Sequence, residues 1–363
     1  MALAVILLAL VLASPHIAWR LMPARTLGVV LVDKTVPFKN FREHAAIPWI
    51  LHALKVVNAD GKFMEASHDY VGYDPAARLG HDLDAHDLER ADVLVITDTY
   101  GVYKGDYEKP GDIAALERSP KIYGGFDENE ATVIERFVGR GGMVLAEFNT
   151  FASPTEDATR ARLENLFGVR WTHWVGRYWP DLQDPNEVPK WVGRVYERIY
   201  KKPFDVKGAG LVFVREDADM VVLRAGEDLG PNVITQTRTA KGAAYDFPET
   251  GSFWFWMDIL DTTDGEVLFE HIIDVTTAGE QKLTAHHLPQ RFPALVRKRD
   301  AFYFAGDFVD NSIDLGNPER VGLVSYKRRV AGCGGGVTEE GFFWGWYAPI
   351  VSRLLSSRAE APK

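Results

Sequence analysis

Four acids close four apolar runs in this chain: Asp33 ends Leu27–Asp33, Asp98 ends Asp92–Asp98, Glu147 ends Gly142–Glu147 and Asp307 ends Ala301–Asp307. Near-continuous apolar runs of this kind predict strands covered on both faces, as in a parallel sheet. In an open α/β sheet the carboxyl ends of the strands line the ligand crevice, so the four acids are expected to converge on one pocket. An acid at a strand end is also an ordinary cap or turn former. The fourfold coincidence argues for a site. Paired carboxylates suit hydrolysis of a glycosidic bond or oxygen ligation of a divalent cation such as magnesium or calcium. Their spacing in the sequence does not choose between these. Acids gathered in one pocket repel, so Arg42, Lys34, a bound cation or a retained proton must compensate.

The roles follow from that placement. Glu147 and Asp98 are the expected acid/base pair, with Asp33 and Asp307 tuning or ligating. The neighbouring loops offer Lys34, Arg42, Glu43, His44, Tyr100, Tyr103, Asn149, Arg177 and the Asp310-Asn311 pair to hold substrate. No cofactor is expected beyond the divalent cation already named. The His81–Asp87 cluster reads as an ordinary amphipathic segment, and His286-His287 as a turn pair.

Elements must hold these residues in place. A helix is predicted over 128–139, with Asp127 as N-cap, Glu130 as its capping-box partner and Gly141-Gly142 as the stop. A second is predicted from about 156 to 167, capped by Ser153 or Thr155. Alternation of strands and helices predicts an α/β fold with an open, mostly parallel, flavodoxin-like sheet over residues 24–171. Short β-patterned runs between turn residues predict a β-rich insertion over 172–290. Within Trp171–Trp179, the segment Arg177-Tyr178-Trp179 reads as a loop that could stack on sugar rings. Residues 291–330 are expected to return as a hairpin that completes the core. A glycine-rich joint, an aromatic helix from about 340 to 355 and a polar tail fill 331–363. That helix carries Phe342, Phe343, Trp344, Trp346 and Tyr347, a set suited to docking on the domain, a second subunit or a membrane surface.

Composition narrows the partners. With 41 Lys and Arg against 51 Asp and Glu, the formal net charge is −10, which argues against a phosphate-backbone binder and so against nucleic acid. The single cysteine, Cys333, excludes an internal disulfide and a Cys-rich zinc site. Residues 2–13 are uninterruptedly apolar, so residues 1–22 are expected to be a signal peptide or an N-terminal membrane anchor. The expected location is extracytoplasmic, with carbohydrate or envelope polymer as the ligand class and a homo-oligomer as the further association.

The run FDENEATVIERFVGRGGMVLAEFN (126–149) resembles the helix, double-glycine and strand unit of the class I glutamine amidotransferase-like superfamily. Trehalose-utilisation-like proteins and an accessory domain of some β-galactosidases share that superfamily. The family's sharp elbow after the strand carries a catalytic cysteine. Laid on this chain, the elbow falls at 146–150 and Phe148 stands at the cysteine position, so the resemblance implies the fold without the amidotransferase chemistry. The phrases VDKTVP, REH, DTYGVY, EFNTFASPT, VGRYWPDL and YFAGDFVDN are similar to those of an uncharacterised bacterial exported or membrane-anchored family. Such a relative implies either an enzyme or a catalytically inactive scaffold or binding subunit of an envelope complex.

Overall fold

The computed structural model describes residues 2–108, 119–217, 219–253, 255–332 and 338–360. Cys333 and the joint at 333–337 lie outside the described residues. The strands that matter are β1 (Val29–Asp33), β2 (Val71–Asp74), β3 (Val93–Asp98), β4 (Met143–Ala146), β5 (Val169–Trp179), β6 (Gly210–Arg215), β7 (Met220–Arg224), β8 (Leu229–Arg238), β9 (Met257–Thr262), β10 (Glu266–Val275), β11 (Arg291–Lys298) and β12 (Ala301–Phe304). The helices that matter are α1 (Ala2–Leu21), α2 (Ala46–Ala53), α3 (Glu128–Gly139), α4 (Asp157–Phe167), α5 (Leu323–Gly332) and α6 (Ala348–Glu360).

The α/β class expected from the sequence is present, and the large sheet is mixed. Its order is Thr250–Gly251, β8, β10, β11, β12, β4, β3, β1, β2, Leu79–Gly80. Strands β12, β4, β3, β1 and β2 run parallel; the remaining neighbours are antiparallel. Residues 172–290 divide between two sheets, because β8 and β10 extend the large one while β7, β6, β5 and β9 form a separate four-stranded antiparallel sheet. The strand β5 continues through Trp179, so Arg177 sits in a strand and not in the expected loop.

Alternation along the central strands decides the two faces. Leu31, Val93, Val95, Leu145, Phe302 and Phe304 pack on α2 and the C-terminal helix. Val32, Leu94, Ile96, Val144, Ala146 and Tyr303 pack on α3 and α4. The capping box at Asp127 and Glu130 forms as predicted. Helix α4 has Glu156 at its N-cap with no side-chain cap bond, so neither Ser153 nor Thr155 caps it. It ends at Gly168, whose φ of 71° is the left-handed geometry glycine tolerates.

The aromatic C-terminal segment is present, with a π-helical turn at Phe343–Tyr347 leading into α6. Phe343, Trp344, Trp346 and Tyr347 are buried in the chain's own core. They are therefore not the surface for a second subunit or a membrane that their composition allowed. Among the described residues, no helix is long and apolar enough to cross a membrane.

Candidate functional site

The first half of the site is built by a defect in the sheet. Along β1 and β3 the register runs Val32 against Ile96, then Asp33 against Asp98, so Thr97 is the extra residue of a bulge. Bulges re-aim side chains; without this one, Asp33 would oppose Thr97. Both acids are buried. Asp33 Oδ1 accepts from the Thr35 N–H at 2.9 Å, and its Oδ2 lies 2.6 Å from His44 Nδ1. His44 Nε2 faces the Ala66 carbonyl at 2.7 Å and must donate there. One further proton is then shared between Nδ1 and the Asp33 carboxyl. Asp98 Oδ1 accepts from the Tyr100 N–H at 2.6 Å. Burial, followed by the neighbouring Asp33, pushes the Asp98 carboxyl up to about 7.

The second half comes from the segment after β12 and from the turn before α2. Glu43, Asp307 and Asp310 each offer an oxygen within 4.8 Å of the others. Arg42 holds Asp310 with Nε at 2.7 Å from Oδ1 and Nη2 at 2.9 Å from Oδ2. Asp307 is 8% exposed, and no hydrogen bond or ion pair holds its carboxylate among the described residues. Burial first, then Asp310, Asp98 and Glu147, raises Asp307 well above the ordinary carboxylate range. Burial and then Asp310 and Asp307 do the same to Glu43. The buried Arg177 guanidinium lies 4.0 Å from the Phe255 ring centroid and 3.1 Å from Glu187, with Asp307 and Asp310 also in its field. Burial lowers Arg177 to about 10.

Asp33, Asp98, Asp307, Glu43, Arg42 and Arg177 thus gather at the carboxyl ends of the central strands. Glu147 does not join them as a free acid. Its Oε2 accepts from the backbone N–H groups of Phe308 and Val309 at 3.1 and 3.0 Å, and the Tyr347 hydroxyl donates to Oε1. It is 1% exposed, and burial pushes it up to about 8. Both oxygens are occupied, so the expected catalytic role is replaced by that of a neutral clamp joining β4, the 308–309 turn and the C-terminal helix. Within the expected elbow at 146–150, Asn149 has a left-handed backbone, with φ of 72°. The Asn149 carbonyl accepts from Thr99 Oγ1 at 3.0 Å.

Lys34 and Asn311 are directed elsewhere, while Tyr100 and Tyr103 stay at the rim. Lys34 is buried and donates to Glu130 Oε2 at 2.7 Å, the Gly125 carbonyl at 2.8 Å and Asp82 Oδ1 at 3.0 Å. It ties the end of β1 to the start of α3 and cannot compensate the acid cluster. Removing it strands Glu130 in the core, so Lys34→Ala is expected to destabilise the fold by about 3 kcal/mol or more. Chemical denaturation reads this directly, and a variant as stable as the parent would return Lys34 to the substrate. Asn311 Nδ2 donates to the Val309 carbonyl at 2.7 Å and shapes the turn. Tyr100 and Tyr103 pack against each other with their rings tilted by 35° and centroids 4.9 Å apart, at the rim beside Asp98.

Sequence reasoning missed Asp258. It is fully buried in β9, its Oδ2 accepts from the Tyr303 hydroxyl at 2.5 Å, and burial raises it to about 7. The signal was an acid between Met257 and Ile259 in an apolar run. Asp310 was visible only as a loop acid; its partner Arg42 lies 268 positions away.

Glu43, Asp307 and Asp310 are the residues that could ligate a divalent cation. The donor set is hard oxygen, suited to magnesium or calcium; Arg42 hydrogen-bonds Asp310 Oδ2, whereas the buried Oδ1, 2.7 Å from Arg42 Nε, has no hydrogen-bond partner among the described residues. A cation there would share Asp310 with the Arg42 guanidinium. Burial and mutual repulsion raise the Glu43, Asp307 and Asp310 carboxyls above the ordinary range.

No family model and no curated relative matches the chain. Among solved structures it is similar to a glutamine amidotransferase from Thermotoga maritima, at 10% identity and a TM-score of 0.40, covering 92% of this chain and 99% of that one. A putative ThuA-like protein from Bacteroides uniformis gives 10% identity and a TM-score of 0.38 over 82% of this chain and 96% of the other. A β-galactosidase from Bacillus circulans gives 12% identity and a TM-score of 0.33 over 78% of this chain, which spans 30% of that enzyme.

Proposed function

We propose that the protein is a carboxyl-based hydrolase of carbohydrate or envelope polymer, with Asp307 as proton donor and Asp98 as base. The observation that carries this reading is Asp307: a carboxyl nine-tenths buried, unheld by any hydrogen bond among the described residues, and facing Asp98, Asp310 and Arg42. A proton donor for a leaving oxygen at neutral pH needs a raised carboxyl, and the base beside it works best near the operating pH. Asp98 at about 7 meets the second requirement. Glu43 and Asp310 crowd the donor, while Arg42 and Arg177 orient hydroxyl or acidic groups of the substrate. The Tyr100–Tyr103 pair and Phe255 supply faces on which sugar rings stack. Export with residues 1–22 retained as an N-terminal membrane attachment belongs to the same reading, since the polymer lies outside the cytoplasm.

The test is release of new reducing ends from a panel of envelope polysaccharides between about pH 5 and 9. Cleavage with a maximum near neutrality is expected. Tight binding of a polymer without cleavage would instead make the chain a binding subunit, the second reading the sequence allowed. No interaction with any polymer would remove both.

A further inference from the structure

We infer that α5, together with the outer side of α1, is a docking surface for the face of an anionic lipid bilayer. Of the thirteen large apolar side chains that stand exposed among the described residues, eight lie here: Leu10, Val11, Leu12, Ile17 and Leu21 on α1, and Val321, Tyr326 and Val330 on or beside α5. An apolar patch concentrated in this way marks an interaction surface. The two parts are continuous, since the Val321 N–H donates to the Pro15 carbonyl at 3.0 Å and His16 Nδ1 meets the Glu319 carbonyl at 2.6 Å.

Helix α5 is amphipathic. Leu323 and Val324 pack inward against the core. Tyr326, Arg329 and Val330 are exposed and share the outer face by their i, i+3, i+4 spacing.

Charge selects the occupant. Residues 1–25 and 317–332 hold six basic side chains and one acid in a protein of net charge −10. Arg25 pairs with Glu360 and Lys327 lies 3.8 Å from Glu340. Arg20, Arg320, Arg328 and Arg329 are exposed and have no ion-pair partner among the described residues. Arginines rimming apolar side chains, on a helix lying along the surface, match the headgroup boundary of an anionic membrane. A second copy of this chain would bring like charges together.

The experiment is co-sedimentation of the full chain with phosphatidylcholine vesicles, with and without roughly 30% phosphatidylglycerol. Anionic vesicles are expected to bind the parent more tightly, with added salt weakening it. Arg328→Glu/Arg329→Glu should lower partitioning about tenfold or more on anionic vesicles and leave it unchanged on neutral ones. Tyr326→Ser/Val330→Ser should weaken both. Near-UV circular dichroism confirms that each variant is folded. Equal binding by parent and charge-reversed protein, no binding to either vesicle, or burial of the patch in a stable dimer in lipid-free solution would each overturn the inference.

Discussion

Asp307→Asn is expected to lower polymer cleavage by about two to four orders of magnitude while leaving polymer affinity within a few fold. Asparagine keeps the size of the carboxyl and its place beside Asp98 and Asp310, but it cannot release a proton to a leaving oxygen. Asp98→Asn should cost a similar factor by removing the base. The two variants differ in their pH profiles. Loss of Asp98 removes the limb near 7, since that is where its carboxyl is held. Because the carboxyls interact, the double variant should be little worse than either single one. Cleavage rates unchanged in both variants, measured by reducing-end release, would sink the assignment.

Glu147→Ala should destabilise the protein by about 3–5 kcal/mol, because it leaves the Phe308 and Val309 N–H groups and the Tyr347 hydroxyl buried without an acceptor and opens a cavity. Glu147→Gln should cost about 1 kcal/mol or less near neutrality, since an amide imitates the neutral acid: its oxygen can accept both N–H groups. The pH dependence separates the two forms further. Glu147 is raised in the fold from an ordinary 4.5 to about 8, so its stabilising proton is fully present below about 4.5 and lost as pH rises through about 8. The parent should therefore lose stability across that window, by an amount on the order of a few kcal/mol, whereas the glutamine variant should lose less. Urea denaturation at a series of pH values reads both effects. If Glu147 were the catalytic acid the sequence favours, the glutamine variant would be stable and inert. With Glu147 as a structural clamp, the variant stays stable and active.

The strand ends were legible because apolar runs and their closing acids are local patterns. The same locality explains helix α3, whose cap and stop lie within fifteen residues. What the sequence left open was direction. Glu147 and Asp98 close their runs alike, yet one meets two backbone N–H groups 161 and 162 positions away while the other faces Asp33 across a bulge. A single inserted residue, Thr97, decides which side chain opposes Asp33, and no propensity encodes it. Lys34 and Arg42 look equivalent as loop cations, but Glu130 captures the first and Asp310 the second. The aromatic C-terminal segment was recognised as a helix, and its burial followed only once Trp344, Trp346 and Tyr347 met the sheet face carrying Phe304 and the β10 residue Phe269.

The central claim is that burial and crowding raise the Asp98 and Asp307 carboxyls above the ordinary carboxylate range. Carbon-13 NMR of protein labelled at aspartate carboxyls tests it without knowledge of the substrate. Two resonances titrating near 7 are expected, one lost in Asp98→Asn and the other in Asp258→Asn, with the Asp307 signal moving above the ordinary carboxylate range. An Asp98 resonance that titrates below about 5, among otherwise ordinary aspartates, would contradict the account.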